Sequence, residues 1–297
     1  MIMYILYRIG LFLTLVLPKR VSYASASFLA DIFYNSSPKD RGVVVSNLKT
    51  VFGSFADDKD INAIARGVFR NFAKYLVDFF RSGKIDKDYL ARNVKVEGAH
   101  NIDDARAMGK GVIMLSAHIG NWELGAAVTS MLGYPINAVV LTHKNKRIND
   151  FFTSQRLMGN VKPIEMGSLK SCYKALRANE LVALLGDRDF SKNGILMDFF
   201  GRKAMIPKGP ATFSYRLGAP IVPVFLVREP DDTFKFFVEK PIICPSGLDE
   251  EVAVRELTVK CSAIIESCVK KYPAQWFVFR NIWNIDETES QRPDTII

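Results

Sequence analysis

Apolar residues recur at helical spacing in the first third of the chain. The clearest stripe runs through residues 60–82, where positions such as Ile64 and Val68 return every three or four residues and predict a long helix with one buried face. Similar spacing predicts helices over 21–34 and 41–52. Residues 21–92 are therefore expected to form an N-terminal helical region.

Beyond residue 92 the pattern changes to short apolar runs that alternate with helical segments. Strands are predicted near Val94, Val112, Ile136, Val161, Leu181, Ile195, Ile221 and Phe234. Helices are predicted near Ile102, Glu123, Arg147, Leu169, Lys208 and Glu250. The alternation predicts an α/β domain over 93–297, with a sheet between helices and residues 21–92 packed on it as one unit.

Residues 1–20 are strongly apolar, but Arg8 interrupts the run and Pro18 ends it. The run falls short of the ~20 apolar residues that a membrane-spanning helix needs. The favoured prediction is an anchor that inserts into or lies on a membrane, with Arg8, Lys19 and Arg20 near anionic head groups. The rest of the chain would then stay cytoplasmic. Small residues downstream keep a cleaved signal peptide open as an alternative.

The charge is uneven along the chain. The net charge is +9, and residues 141–216 hold fourteen Lys and Arg against six Asp and Glu. No nucleic-acid-binding motif accompanies this segment, so anionic membrane lipid, substrate phosphates or an acidic carrier protein are favoured as partners over nucleic acid. The three histidines and four cysteines lack the spacing of a metal site.

The segment from Ser116 to Glu123 holds the strongest candidate chemistry. His118 follows an apolar run that predicts a strand, Gly120 allows a bend, and Asn121 is a plausible helix N-cap that places Glu123 in the first helical turn. Across that bend Glu123 could accept the Nδ1 proton of His118, leaving Nε2 as a general base. The alternative is a buried or loop histidine beside an ordinary helix-start charge.

The motif from His118 to Glu123 (His-Ile-Gly-Asn-Trp-Glu) resembles the His-x4-Asp/Glu box of the lysophospholipid acyltransferase superfamily. Its form resembles that of the bacterial lipid A late (lauroyl/myristoyl) acyltransferase family. Further blocks agree in order and spacing: Val96–Gly98, Gly109–Gly111, Asp198–Arg202, Lys208–Ala211, Gly218–Pro223 and Pro273–Phe277. The resemblance spans residues 40–283 and implies a mixed sheet flanked by helices, as in glycerolipid acyltransferases.

The resemblance implies a membrane-associated O-acyltransferase at the bacterial inner membrane, with its catalytic body facing the cytoplasm. It would move a fatty acyl chain from an acyl carrier protein thioester to a hydroxyl of a phosphorylated glycolipid, a lipid A precursor. His118 would be the general base and Glu123 its orienting partner, with no metal or tightly bound cofactor. Coenzyme A is the alternative donor carrier.

Other functions stay open at this point. The acceptor could be another glycolipid, such as a phosphatidylinositol mannoside, or a lysophospholipid. A rival of a different class is a non-catalytic protein that only binds anionic membranes.

Three charges, Asp187, Arg188 and Asp189, follow a predicted buried strand, which is costly unless they face a cleft or pair. Asp187 or Arg188 is therefore expected to line the site. Asp187 matches the family pattern, whereas Arg188 departs from it and has a surface ion pair with Asp189 as its alternative.

Arg156 occupies a position resembling a family arginine near the transferred acyl group, where a guanidinium would stabilise an oxyanion. Arg147 competes for that role. Lys208 and Gly209 precede a predicted helix and would bind phosphate there, or form a plain turn. Asn121 completes the candidate substrate-binding residues. An aromatic cluster around Trp276 is expected to wall an acyl tunnel, lie at the membrane interface or pack in the core.

Overall fold

A computed structural model describes residues 2–53, 57–190 and 193–284. The helical region consists of α1 (Ile2–Val16), α2 (Lys19–Ser36), α3 (Pro38–Phe52), α4 (Asp58–Phe80) and α5 (Lys87–Asn93), with a 3-10 turn over Ser82–Lys84 between the last two. The predicted helices over 21–34, 41–52 and 60–82 are therefore confirmed.

The remaining elements alternate as the pattern predicted. Their bounds are β1 (Val94–Glu97), α6 (His100–Ala107), β2 (Val112–Ser116), α7 (Trp122–Met131), β3 (Ile136–Val140), α8 (Lys146–Met158), β4 (Lys162–Glu165), α9 (Leu169–Arg177), β5 (Leu181–Leu185), β6 (Ile195–Phe199), β7 (Arg202–Ile206), α10 (Gly209–Leu217), β8 (Ile221–Arg228), β9 (Phe234–Val238) and α11 (Glu250–Lys271). A 3-10 turn over Pro273–Gln275 follows. Strand β7 was not predicted; it pairs with β6 as a separate hairpin.

Seven strands form one mixed sheet in the order β1-β9-β8-β2-β5-β3-β4. Strands β8 and β9 are antiparallel, and every other neighbouring pair is parallel. One face packs against α9, α10 and α11, and the other against α6 and α7. The expected mixed sheet flanked by helices is confirmed. Because β2, β3, β5 and β8 are parallel, their carboxyl ends lie at the same edge of the sheet.

The helical region packs on this body through aromatic contacts. Tyr75 of α4 stacks on Trp122 of α7 at 4.5 Å between ring centroids, and Phe72 contacts Phe277 beyond the C-terminal 3-10 turn. Tyr7 of α1 lies among Phe80, Phe151 and Phe152. The division into 1–20, 21–92 and 93–297 stays a prediction, and 285–297 lies outside the described residues.

Helix α1 has 15 residues. No helix in the described ranges combines the length and apolar character needed to cross a bilayer.

Candidate active site

His118 and Asp187 meet because the strands that carry them are neighbours. In the register of β2 and β5, Ser116 lies opposite Leu185. His118 and Asp187 each follow two residues later, just beyond the strand ends, and His118 Nδ1 lies 2.8 Å from Asp187 Oδ1. Both side chains follow the carboxyl ends of parallel strands, the edge where α/β folds bind ligands.

Three N–H groups engage the Asp187 carboxylate, which is fully buried. The His118 ring lies on Oδ1, while the His118 backbone N–H and Trp276 Nε1 each donate to Oδ2 at 3.0 Å. Burial opposes ionisation of Asp187, yet the charge and hydrogen bond of His118 and the Trp276 bond hold its pKa below the ordinary value. An ionised Asp187 keeps the His118 proton on Nδ1 and leaves Nε2 as a proton acceptor.

Burial lowers the pKa of His118 below its ordinary value of 6.5, against the opposing attraction of Asp187. The imidazole is therefore neutral near pH 7, as a general base requires. Its ring lies 5.3 Å from Trp122 in an edge-to-face contact and 6.2 Å from Phe190. These two rings restrict the orientation of the imidazole.

The Glu123 carboxylate is not the hydrogen-bond partner of His118 Nδ1, contrary to the sequence expectation. Its carboxylate pairs instead with Arg156 of α8, which donates from Nε at 3.0 Å to both oxygens and from Nη2 at 2.6 Å. The bend before α7 turns Glu123 towards α8, while the adjacent strand β5 brings Asp187 to the imidazole. The ion pair raises the pKa of Arg156 although burial opposes the charge.

The bend depends on Gly120, whose φ is +64°. A Cβ atom there would lie 2.0 Å from the Leu226 carbonyl oxygen. Two backbone hydrogen bonds flank Ile119 in this bend: the Phe277 N–H donates to the His118 carbonyl at 2.7 Å, and the Gly120 N–H donates to the Gln275 carbonyl at 2.9 Å. The C-terminal segment thus fixes the motif backbone.

Asn121 is the N-cap of α7, as predicted: its Oδ1 accepts the Leu124 N–H at 3.0 Å. Its Nδ2 donates to Asp78 Oδ2 at 3.1 Å. Because both ends of this buried side chain are engaged by the protein, Asn121 supports α7 and does not present its amide to a substrate, which corrects the expected substrate-binding role.

Asp78 belongs to a buried polar cluster that the sequence did not reveal. It accepts hydrogen bonds from Tyr23 and Arg228 as well as from Asn121. The cluster joins α2, α4 and β8 to the start of α7. Its members come from distant parts of the chain, so no local motif marks them.

A cavity of about 1520 Å³ opens beside His118. The candidate residues that border it are His118, Glu123, Arg156, Arg188, Lys208 and Gly209. Asp187 lies behind the imidazole, whereas Arg147 is exposed at the start of α8 and is not among the described cavity residues. The structure therefore places Arg156, and not Arg147, at the site.

Arg188 is buried rather than on the surface, and its guanidinium stacks on Phe190 at 4.7 Å from the ring centroid. Burial lowers its pKa to about 10, so it stays cationic at neutral pH. Trp276 is a core residue whose indole bonds to Asp187. Within the described ranges no group of three His, Cys, Asp or Glu side chains is arranged to hold a metal.

Comparison with known proteins identifies the family. Residues 1–284 match the model of the bacterial lipid A biosynthesis acyltransferases. The chain belongs to this family. The resemblance inferred from the motif is thereby confirmed, and the chain is an acyltransferase.

Curated relatives of two kinds are similar to it. A phosphatidylinositol mannoside acyltransferase of Mycolicibacterium smegmatis is 27% identical over 83% of this chain and 80% of its own length. The lipid A biosynthesis lauroyltransferase of Escherichia coli is 24% identical over 90% of this chain and 86% of its own. A solved 1-acyl-sn-glycerophosphate acyltransferase from Thermotoga maritima is a distant neighbour, with 13% identity, a TM-score of 0.41, and 87% and 99% coverage.

Proposed function

We propose that this acyltransferase moves a fatty acyl chain from an acyl carrier protein thioester to a hydroxyl of a phosphorylated glycolipid, with a lipid A precursor as the leading acceptor. The hydrogen-bonded pair of His118 and Asp187 at the cavity carries the proposal. No metal or tightly bound cofactor takes part in it, and coenzyme A is the alternative donor carrier.

His118 acts as general base in this proposal. Its Nε2 takes the proton of the acceptor hydroxyl while the oxygen attacks the thioester carbonyl carbon. The tetrahedral intermediate collapses with loss of the carrier thiolate, which takes the proton back from Nε2. Asp187 keeps neutral His118 in the Nδ1–H tautomer and stabilises the transient imidazolium without itself becoming protonated.

Arg156 is proposed to stabilise the oxyanion. Glu123 engages its Nε and Nη2 atoms, which leaves Nη1 as the donor for a substrate oxygen. A guanidinium already held in place by a partly buried ion pair needs no reorganisation when negative charge develops. Glu123 is thus a positioning residue, and Arg188 is a second cation that borders the same cavity.

The donor acyl chain is proposed to lie between α7 and the sheet. This part of the cavity is lined by small or apolar side chains, among them Ala126, Ala138 and Ala183, and reaches Thr129 and Ile136. Through β5, Ile136 lies level with Val112. At ~3.3 Å per residue along β2, the cavity therefore reaches about 20 Å from His118 to the level of Ile136. This length has room for an extended acyl chain of up to about 16 bonds at ~1.25 Å each.

A second acceptor is favoured by the comparisons. The phosphatidylinositol mannoside acyltransferases are at least as similar to this chain as the lipid A enzymes, at 26–27% against 24–25% identity. A phosphatidylinositol mannoside is therefore the alternative acceptor.

Membrane association is proposed to use the outer face of α1 and α2. Tyr7 and Thr14 of α1 face the protein, while Ile2, Leu6, Phe12 and other large apolar side chains are exposed. Such a face suits insertion into the interface of an anionic inner membrane from the cytoplasmic side.

Two of the three basic residues of this segment remain suited to lipid head groups. Arg8 and Arg20 are exposed. Lys19, by contrast, turns inward: its ammonium donates to the Tyr89 hydroxyl at 3.2 Å and lies over the Tyr23 ring. The expectation that Lys19 contacts head groups is therefore corrected.

The test is acyl transfer from a panel of acyl carrier protein thioesters to a lipid A precursor and, separately, to a phosphatidylinositol mannoside, read by mass spectrometry. A gain of one acyl chain with the wild type, lost in His118→Ala, is expected. The matched control His100→Ala, at an exposed histidine of α6, should keep full activity. Near-normal turnover by folded His118→Ala would refute the general-base role.

A further inference from the structure

Asp78 joins the helical region to the motif that contains His118. It lies on α4 and is buried. Its carboxylate accepts hydrogen bonds from Tyr23 of α2, from Asn121 at 3.1 Å and from Arg228 of β8. One side chain of α4 is therefore bonded to two other elements and to the segment that carries the proposed general base.

The first connection from Asp78 to the imidazole runs through Asn121. The Asn121 Nδ2 donates to Asp78, while its Oδ1 accepts the Leu124 N–H at 3.0 Å. These bonds fix the first turn of α7, which begins at Trp122. The Trp122 ring packs edge to face on the His118 ring, with 5.3 Å between centroids. A shift of Asn121 would therefore move a ring that restricts the imidazole.

The second connection runs through Arg228. Its guanidinium donates to Asp78, while its backbone N–H and carbonyl both bond to the Gln275 side chain at 2.8 Å. The Gln275 backbone carbonyl in turn accepts the Gly120 N–H at 2.9 Å, two residues after His118. Asp78 is thereby connected to the motif backbone from the side of the C-terminal segment as well as from α7.

The charges of this cluster serve neither substrate contact nor simple packing. Burial opposes the charge of Arg228, yet Asp78 holds the pKa of Arg228 above its ordinary value. A buried ion pair contributes little net stability, because desolvation of both charges offsets their attraction. None of Asp78, Asn121 and Arg228 is among the described residues that line the cavity. Positioning accounts for the arrangement, since a satisfied polar network fixes a geometry that apolar contacts leave adjustable.

We propose that Asp78 is a positioning residue for acyl transfer. Through Asn121 and Arg228 it holds the bend of the motif, so that His118 Nε2 faces the acceptor hydroxyl in the cavity. The helical region thus takes part in catalysis, in addition to presenting the exposed apolar face of α1 and α2. This inference rests on the proposed general-base role of His118 and extends it to a residue of another element.

The first test replaces Asn121 by serine, which keeps the N-cap of α7 but has no amide to donate to Asp78. We expect kcat to fall about 10–100-fold, because a misplacement of ~1 Å can cost about 10²-fold. The KM should stay within about twofold, since no substrate contact is removed. The matched control is Asn145→Ser, at an exposed asparagine that caps α8 in the same way. Its kcat should not change.

NMR of the His118 ring, recorded on the full chain without substrate, separates positioning from a general loss of structure. In Asn121→Ser the Nδ1 proton that lies on Asp187 should shift upfield and exchange faster with water. The midpoint of urea unfolding should change little, because the cap is kept. A folded Asn121→Ser enzyme with wild-type kcat, with an unchanged Nδ1 proton signal or with a change in KM alone would overturn the proposal.

A paired exchange tests the same contact by rescue. Asn121→Asp alone sets two carboxylates against each other and should lower kcat at least as far as the serine does. Adding Asp78→Asn restores the hydrogen bond in the opposite direction, and Arg228 keeps the Asp232 carboxylate at 3.3 Å. The double variant should recover about tenfold or more in kcat over Asn121→Asp. A folded double variant without this recovery would refute the contact as the cause.

The two proposals fail differently. Wild-type kcat in Asn121→Ser would refute the positioning role and leave acyl transfer by His118 intact. Absence of transfer by the wild type to either glycolipid would refute the proposed function. The NMR signal of His118 in the same variants would still decide whether Asp78 positions the imidazole.

Discussion

Replacing Asp187 by asparagine tests the central geometry of the site. The native carboxylate accepts one bond from the His118 ring on Oδ1 and two on Oδ2, from the His118 backbone and Trp276. An asparagine keeps the shape but has one oxygen and one NH₂ group. Its oxygen satisfies the two N–H donors best, so its NH₂ faces Nδ1. Nδ1 must then accept, and the imidazole proton moves to Nε2.

A proton on Nε2 removes the general base. General base catalysis contributes about 10²–10⁴-fold, and the equivalent substitution in a Ser-His-Asp triad lowers kcat by about 10⁴-fold. We therefore expect Asp187→Asn to lose about 10³–10⁴-fold in kcat, or roughly 4–5.5 kcal/mol of transition-state stabilisation at ~1.36 kcal/mol per tenfold. The folded state should survive, because the two Oδ2 donors keep an acceptor.

The assay is single-turnover acyl transfer, combined with thermal unfolding and ¹⁵N NMR of the labelled imidazole. The NMR spectrum should show the Nδ1–H tautomer in the wild type and the Nε2–H tautomer in the variant. Asp198→Asn serves as control, because Asp198 is exposed on β6 and pairs only with exposed Lys203 among the described residues. A folded Asp187→Asn within about tenfold of wild-type kcat, or with an unchanged tautomer, would refute the reasoning.

Four further predictions rest on the same geometry. The kcat/KM of the wild type should be level near pH 7 and fall about tenfold per pH unit only below pH 6.5, because neutral His118 is required and burial lowers its pKa; an acid limb centred above pH 6.5 contradicts this. Glu123→Ala should lower the free energy of urea unfolding by about 1–3 kcal/mol, since it leaves the partly buried Arg156 without its counter-ion. Glu123→Gln should leave the His118 tautomer unchanged in NMR, and a changed tautomer would restore Glu123 as its orienting partner. Gly120→Ala should cost about 2 kcal/mol or more in urea unfolding, clearly above Gly109→Ala, which has a similar positive φ but open space; equal costs would exclude the steric contribution.

Much of the fold was predictable because it depends on local pattern. Helical spacing located α4, short apolar runs located the strands of the large sheet, and Asn121 marked the start of α7. The motif from His118 to Glu123 also pointed to the family. Strand β7 was missed because it is short and begins with two exposed charges, Arg202 and Lys203, in a hairpin outside the main sheet.

The partners of the functional groups required the tertiary structure. His118 and Asp187 each follow a strand that the sequence predicts, but only the sheet order places β2 beside β5 and sets the register that joins them. The spacing of five residues likewise allowed Glu123 to reach His118. Only the direction of α7 in the folded chain places the Glu123 carboxylate against Arg156. Periodicity fixes which face of a segment is buried; it does not encode which segments become neighbours, because that choice depends on packing the whole chain.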